Sequence, residues 1–231
     1  DATTFNYNDS SQMANAFPLF LGLAPEKHKK KILDNLINDI VNTNDGHLTT
    51  GVLGSKYMID ALSQENRADI AWLLATQTGT PSWSDMVEKY TTMCEFWTLK
   101  QSHNHVMTGS IDTFFYKTLA GINVNEEYPG CARLTIKPYV LDSLPYVKAS
   151  VETVRGTVRS AWENSENELK LKIQIPANTT ADVYIPASDQ SRIFESGKAA
   201  ESSPGVQYLK TEQNRVHYVV ESGEYEFIVK N

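Results

Sequence analysis

The chain has 231 residues, of which 41% are hydrophobic, enough for one large domain or two ordinary domains with real cores. Its formal net charge is -7 and its Lys and Arg residues form no basic stripe, so we expect no nucleic-acid partner. No apolar run approaches the roughly 18 residues that cross a bilayer, so we expect no membrane partner either.

The start of the chain is a polar stretch, residues 1–11, that leads straight into a helical pattern. The first residue is Asp1 instead of Met. Residues 1–25 also lack the basic start and the apolar core of a secretion signal. We therefore expect a piece of a longer polypeptide whose N-terminal part is missing.

Apolar residues repeat at helical spacing from about Gln12 to Ile122. In one segment Ile32, Leu36 and Ile40 fall on a single helix face, just after a Lys-rich turn at residues 27–31. Such a run of lysines is typical of a solvated helix face, although an anionic partner is an alternative interpretation. The pattern predicts six helices, near residues 11–22, 25–43, 51–63, 67–78, 82–98 and 104–121.

The hydrophobic period changes to two after Pro129-Gly130. Leu169, Leu171 and Ile173 alternate with polar residues, as in a half-buried antiparallel strand. Turn-rich pieces separate further strands, predicted at residues 132–140, 147–154, 156–163, 181–186, 206–211, 215–221 and 224–229. Many short strands indicate a β-sandwich. We therefore predict a multidomain α and β protein, with a helical domain at residues 1–124 and an antiparallel β-sandwich at residues 125–231.

Two polar clusters precede predicted helices in the first half. The segment at residues 45–54, DGHLTTGVLG, contains His47 and flexible glycines that would let the backbone approach a ligand. A threonine N-cap with a tight glycine turn explains the same residues equally well. Trp83, at the start of the fifth predicted helix, would stack on a sugar ring, or else pack in the core.

The third cluster contains an acidic side chain in apolar surroundings. Glu95 lies among Met93, Cys94, Phe96 and Trp97, where a carboxylate is partly desolvated and requires a partner or a catalytic task. A salt bridge or a helix cap is the structural alternative. His105 follows a polar loop and opens the next helix, so both side chains would reach the same end of a helical bundle. This pair indicates proton transfer.

Metal binding is not predicted from the cysteines and histidines. The two cysteines lack metal-type spacing, and we expect both to be buried free thiols, with a disulfide as the alternative. The five histidines show no paired spacing either. We therefore expect neither a metal nor another cofactor.

Taken together, the clusters resemble the catalytic domain of glycoside hydrolase family 78, the bacterial α-L-rhamnosidases. The β half is similar to that family's C-terminal domain at residues 129–130, 152–156 (ETVRG) and 175–181 (IPANTTA). In the helical half the matching segments are residues 11–16 (SQMANA), 21–23 (LGL), 47–57 (HLTTGVLGSKY), 66–71 (NRADIA), 81–83 (PSW), 91–97 (TTMCEFW) and 102–109 (SHNHVMTG).

This resemblance implies an (α/α)6 barrel, of which residues 1–124 would supply the last six helices. Glu95 matches the general base that activates water for attack with inversion, and His105 matches a histidine that contacts rhamnose. Trp83 and His47 match positions in the pocket wall. The general acid of this family lies in the earlier half of the barrel, so we expect the fragment to be inactive alone. The implied partner is a rhamnose-containing carbohydrate, and a periplasmic or extracellular location in a bacterium would fit it.

Two alternatives stay open. The sandwich would bind carbohydrate if aromatic residues such as Trp162 or Tyr184 were exposed on one sheet face, and would only brace the barrel if they pointed inward. The helical half would also fit another α/α-barrel glycosidase that acts on a different sugar.

Overall fold

The computed structural model describes Asp1 and residues 3–230. It contains two compact units, Asp1–Phe114 and Phe115–Asn231. The first is helical and the second consists mainly of two β-sheets, which confirms the predicted fold class. The division precedes the predicted boundary at residue 124, because Ile122–Val124 is already a strand that pairs with Arg133–Ile136.

The helical unit is built around contacts between its first and third helices. Ser11 accepts a hydrogen bond from the backbone of Ala14 and caps the first helix. Ala16 and Met58 are fully buried in the core of this unit. Two π-helical turns, Asp39–Thr43 and Phe114–Leu119, follow the second and seventh helices. The helices are α1 (Gln12–Phe20), α2 (Glu26–Asn38), α3 (Val52–Gln64), α4 (Ala68–Ala75), α5 (Trp83–Tyr90), α6 (Val106–Gly109) and α7 (Ile111–Thr113).

The fifth and sixth predicted helices are shorter than expected. Helix α5 ends at Tyr90 because Thr91 takes a left-handed backbone conformation, with φ of 56°. The sequence predicts a helix over residues 82–98, which would include Glu95. In the structure residues 91–105 are irregular, so the prediction is wrong for Glu95. The helix predicted from residue 104 begins at Val106 and is broken into α6, α7 and a π-helical turn.

The β unit packs two sheets around a shared apolar core. The strands are β1 (Ile122–Val124), β2 (Arg133–Ile136), β3 (Tyr146–Thr153), β4 (Gly156–Asn164), β5 (Glu168–Ile175), β6 (Thr180–Pro186), β7 (Ile193–Glu195), β8 (Lys198–Ala199), β9 (Val206–Glu212), β10 (Arg215–Val220) and β11 (Gly223–Lys230). One sheet has the order β1-β2-β6-β10-β9 and the other β3-β4-β5-β11-β7-β8. Strands β2 and β6 pair in parallel, and the other pairings are antiparallel. Inward-facing side chains such as Leu171, Val183 and Phe227 alternate with polar ones, as the period of two predicts.

Neither Trp162 nor Tyr184 is exposed on a sheet face, as a carbohydrate-binding sandwich would require. Trp162 is fully buried, and its indole N–H donates to the carbonyl of Leu119 at 2.8 Å. Tyr184 is half-buried and stacks on His217 with ring centroids 4.2 Å apart. Neither residue therefore offers the exposed platform that the carbohydrate-binding alternative requires.

A buried carboxylate on β6, that of Asp182, is hydrogen-bonded to side chains on the two neighbouring strands, β2 and β10. Arg133 donates two hydrogen bonds to Asp182, at 2.6 and 2.7 Å, and His217 Nε2 lies 2.9 Å from a carboxylate oxygen of Asp182. Burial alone would raise the pKa of Asp182, but the hydrogen bonds from Arg133 and His217 outweigh it and hold that pKa below its usual value.

We expect this carboxylate to make the β unit sensitive to acid. The pKa of Asp182 is lower in the folded than in the unfolded state, so its stabilising contribution is complete above the unfolded pKa. That contribution is lost as the pH falls through the folded pKa. Asp182→Asn should therefore lower the urea midpoint near neutral pH and weaken its fall in acid. The exposed Asp142→Asn is the control, and equal acid sensitivity in both variants would contradict the assignment.

None of the helices in the described part of the chain is long and apolar enough to span a membrane. Both cysteines are free thiols, with Cys94 buried and Cys131 half-buried. Among Asp1 and residues 3–230, no group of three or more His, Cys, Asp or Glu residues is placed to hold a metal ion.

Candidate active site

Glu95 lies on an irregular segment that pairs with the segment containing His105. The backbone N–H of Glu95 donates to the carbonyl of Ser102, and the N–H of His105 donates to the carbonyl of Met93, both at 2.9 Å. These two bonds run in opposite directions between the segments, as in a short antiparallel ladder. The structure therefore places the segment that contains Glu95 alongside the segment that contains His105.

The carboxylate of Glu95 is half-buried. Within the described part of the chain it has neither a hydrogen-bond partner nor an ion pair, unlike Glu65, which binds Lys29 at 2.7 Å. A carboxylate without a partner in the protein is available to bind a ligand or water. The salt-bridge and capping alternatives for Glu95 therefore have no support in this structure.

The ring of His105 is oriented by a helix cap. Its Nδ1 accepts a hydrogen bond from the backbone N–H of Met107 at 3.3 Å, at the start of α6. In the neutral ring the proton is consequently on Nε2. That Nε2 has no partner within the part of the chain that the structure describes. His105 can therefore donate a hydrogen bond to a ligand.

Two tryptophans lie next to this pair. The rings of Trp83 and Trp97 meet edge to face, with centroids 5.3 Å apart. The indole of Trp97 donates to the carbonyl of Thr50 at 2.6 Å, and that of Trp83 to the carbonyl of Thr108 at 2.9 Å. Only 5% of Trp83 is exposed. Its burial favours the core-packing alternative over direct stacking on a sugar.

His47 lies on the loop before α3, which the sequence also singled out. Its two ring nitrogens face the carbonyls of Asp45 at 3.1 Å and Thr78 at 3.2 Å, so neither nitrogen is free to bind a ligand. The fully buried Gln12 holds the same loop, because its amide donates to the carbonyl of His47 and accepts from the N–H of Thr49. His47 therefore supports the loop in this structure.

Close packing joins this loop to helix α3. A Cβ atom at Gly54 would lie 2.6 Å from Cβ of Thr50, so only glycine permits this approach. The carbonyl of Thr50 in turn accepts a hydrogen bond from the indole N–H of Trp97. The loop, Trp97 and the Glu95 segment thus form one connected cluster.

Asp85, two residues after Trp83, is the buried carboxyl group on helix α5. Hydrogen bonds from Lys89 and Thr80 lower the pKa of Asp85, so the group is ionised and paired. A general acid must hold a proton before the reaction. Asp85 is therefore unsuited to supply the second carboxyl of a hydrolase.

Three further residues hold the site together and were not among the predicted site residues. Gln12, Thr50 and Thr108 each use a side chain or carbonyl to fix a neighbouring segment. Gln12 and Thr50 lie inside motifs of the resembled family, which was the available signal. Thr108 also lies inside a matching segment, residues 102–109, but its bond to Cys94 was not predictable, because only the folded chain brings the two residues together.

Comparison with family models agrees with this architecture. Residues 2–119 match the model described as the bacterial alpha-L-rhamnosidase 6 hairpin glycosidase domain. Residues 121–200 match the bacterial alpha-L-rhamnosidase C-terminal domain. The first match alone covers about half of the chain.

Curated relatives and solved structures give the same result. An alpha-L-rhamnosidase of Streptomyces avermitilis is 28% identical over 231 residues, covering 95% of this chain and 21% of that protein. One from Formosa agariphila is 28% identical over 81% of this chain and 21% of its own length. The structure of alpha-L-rhamnosidase from Dictyoglumus thermophilum matches with a TM-score of 0.84 and 31% identity, over 96% of this chain and 25% of that one. A Streptomyces avermitilis alpha-L-rhamnosidase complexed with L-rhamnose also gives a TM-score of 0.84, at 26% identity, over 98% of this chain and 23% of that one.

Proposed function

Because the chain belongs to the bacterial α-L-rhamnosidase family, we propose that it is part of an inverting glycoside hydrolase that removes terminal α-L-rhamnosyl residues from glycosides or polysaccharides. The chain spans about a fifth to a quarter of the length of the relatives it matches. The complete enzyme therefore includes further residues of the same polypeptide. The observation that carries the proposal is that Glu95 is half-buried, that its carboxylate has no partner among the described residues, and that its segment pairs with the segment of His105.

Glu95 is the proposed general base. In an inverting reaction this carboxylate takes a proton from water as the water attacks the anomeric carbon. A carboxylate paired with a lysine or arginine would be a poorer base, and Glu95 has no such pair among the described residues. Its backbone is fixed by the bond to Ser102, so the side chain projects from an ordered segment.

His105 is the proposed contact to the sugar. Its Nδ1 is occupied by the backbone of Met107, so its Nε2 proton is directed away from α6 and is free to donate to a rhamnose hydroxyl. We keep Trp83 and His47 in the proposed pocket wall as supporting residues. Trp83 would act through its contact with Trp97, and His47 through the loop that carries Thr50.

The proposed general acid lies outside this chain. Inversion requires two carboxyl groups roughly 6.5–9.5 Å apart, one of them protonated. Asp85, the buried acidic residue of α5, is held ionised by Lys89 and Thr80. The resemblance to the family implies that the group that protonates the leaving group lies in the earlier half of the barrel, outside this chain.

We further propose that the helical unit, residues 1–124 in the sequence-based division, is the C-terminal half of an (α/α)6 barrel. Several apolar side chains on its helices and loops are exposed, among them Leu23 (68%), Leu53 (57%) and Val106 (80%). Such side chains would be covered by the missing helices of the barrel. In the β unit Trp162 is buried in the core, so we do not propose it as a carbohydrate-binding residue.

The test is hydrolysis of p-nitrophenyl α-L-rhamnopyranoside by the full-length polypeptide, followed by proton NMR of the first sugar released. We expect the β-anomer to appear first, because the attacking water enters opposite to the leaving group. The 231-residue chain alone should release no nitrophenol. Initial release of the α-anomer, or an inactive full-length polypeptide, would contradict the proposed function.

A further inference from the structure

We propose that Thr108 is a positioning residue for the base, a role that rests on the proposed function of Glu95. Thr108 is 1% exposed, so it has no access to a sugar or to the attacking water. Its hydroxyl lies 2.8 Å from the carbonyl oxygen of Cys94 and 2.9 Å from that of His105. The single proton of this buried hydroxyl is shared between the two carbonyls, which places Thr108 between the residue before the proposed base and the proposed sugar contact.

The bond to Cys94 acts directly on Glu95 through the peptide group. The carbonyl of Cys94 and the N–H of Glu95 belong to the same planar unit. Thr108 holds the oxygen of that unit, and the carbonyl of Ser102 holds its N–H at 2.9 Å. The plane is fixed at both ends, which sets the direction in which Glu95 leaves the backbone.

The preceding peptide unit is held by the same segment. The carbonyl of Met93 accepts from the N–H of His105 at 2.9 Å. Two consecutive peptide units before Glu95 are therefore bonded to residues between Ser102 and Thr108. Because residues 91–105 have no regular helix or strand of their own, these bonds replace the support that a secondary-structure element would give.

Thr108 is itself held from the opposite side. Its carbonyl accepts the indole N–H of Trp83 at 2.9 Å. The bond from its hydroxyl to His105 alone would be ordinary, since threonines in helices commonly bond the carbonyl three residues earlier. The bond to Cys94 spans 14 residues and has no such local explanation. Thr108 thus links Trp83, Glu95 and His105, three of the four predicted site residues.

The experiment compares Thr108→Val, Thr108→Ser and Thr108→Ala in the full-length polypeptide. Thr179→Val is the matched control, because Thr179 is also buried and its hydroxyl donates to the carbonyl of Cys131 in the β unit. We expect Thr108→Val to lower kcat on the aryl rhamnoside by about 10–100-fold while KM changes by less than about threefold. Thr108→Ser should recover most of kcat, and Thr179→Val should match the wild type.

Amide hydrogen exchange provides a readout that does not depend on turnover. We expect the amide of Glu95 to exchange about tenfold faster in Thr108→Val than in Thr179→Val. If valine is not tolerated, the comparison of Thr108→Ser with Thr108→Ala isolates the hydroxyl. An active enzyme whose kcat is unchanged in Thr108→Val and Thr108→Ala overturns this inference alone. An inactive wild type overturns the proposed function. If, in addition, the amide of Glu95 exchanges at the same rate in Thr108→Val and Thr179→Val, the proposed support of Glu95 by Thr108 is overturned as well.

Discussion

Replacing Glu95 with Gln in the full-length polypeptide is expected to lower kcat on an aryl α-L-rhamnoside by about 10²–10⁴-fold. Glutamine has nearly the same shape as glutamate but cannot take a proton from water. The half-buried carboxylate has no partner in the described part of the chain, so its removal breaks no ion pair. We therefore expect the melting temperature to change little while turnover is lost.

The matched control is Glu88→Gln, which makes the same change of charge on the exposed surface of α5. Its turnover should equal that of the wild type. Initial rates over a range of substrate concentrations separate kcat from KM in both variants. If Glu95→Gln retained the turnover of Glu88→Gln, another group would have to be the base.

Replacing Trp162 with Ala is expected to lower the free energy of unfolding by about 3–5 kcal/mol. Trp162 is fully buried on β4, where it is paired with Val147 on β3 and with Leu171 on β5. Its indole also satisfies the carbonyl of Leu119. The alanine variant would leave a cavity and an unpaired carbonyl at one site. Trp162→Phe should cost less, since it retains most of the volume.

Urea unfolding followed by circular dichroism measures this loss. Tyr146→Ala is the control, because Tyr146 lies on the neighbouring strand β3 and is 57% exposed. We expect it to change the unfolding free energy by no more than about 0.5 kcal/mol. Wild-type stability in Trp162→Ala would show that Trp162 is not part of the core, and would reopen the carbohydrate-binding alternative for the sandwich.

The regular elements were predictable because their periods are local. The alternation at Leu169, Leu171 and Ile173 predicted β5, and the spacing of Ile32 and Leu36 predicted α2. The short strands β7 and β8 were missed, since two or three residues carry too little pattern. Their pairing with β11 and with each other is what makes them strands.

The candidate site was predictable in its residues but not in its geometry. Glu95 appeared helical because Met93, Phe96 and Trp97 continue an apolar pattern past Tyr90. In the folded chain those residues instead belong to a segment held by bonds from residues 102–108, and no local pattern contains that information. The sequence left Trp83 with two interpretations, stacking on a sugar or packing in the core, and only the structure shows that its indole is used inside the protein.

The position of β11 has a consequence for how the polypeptide is made. This strand, Gly223–Lys230, lies in the interior of its sheet, between β5 and β7. While the ribosome is still translating residues before 223, β5 and β7 therefore lack their shared neighbour and expose unpaired edges. The helical unit can begin to fold as it emerges from the exit tunnel, whereas this sheet is completed only when β11 has left the tunnel. A ribosome stalled near residue 220 would consequently hold a nascent chain that is prone to aggregate.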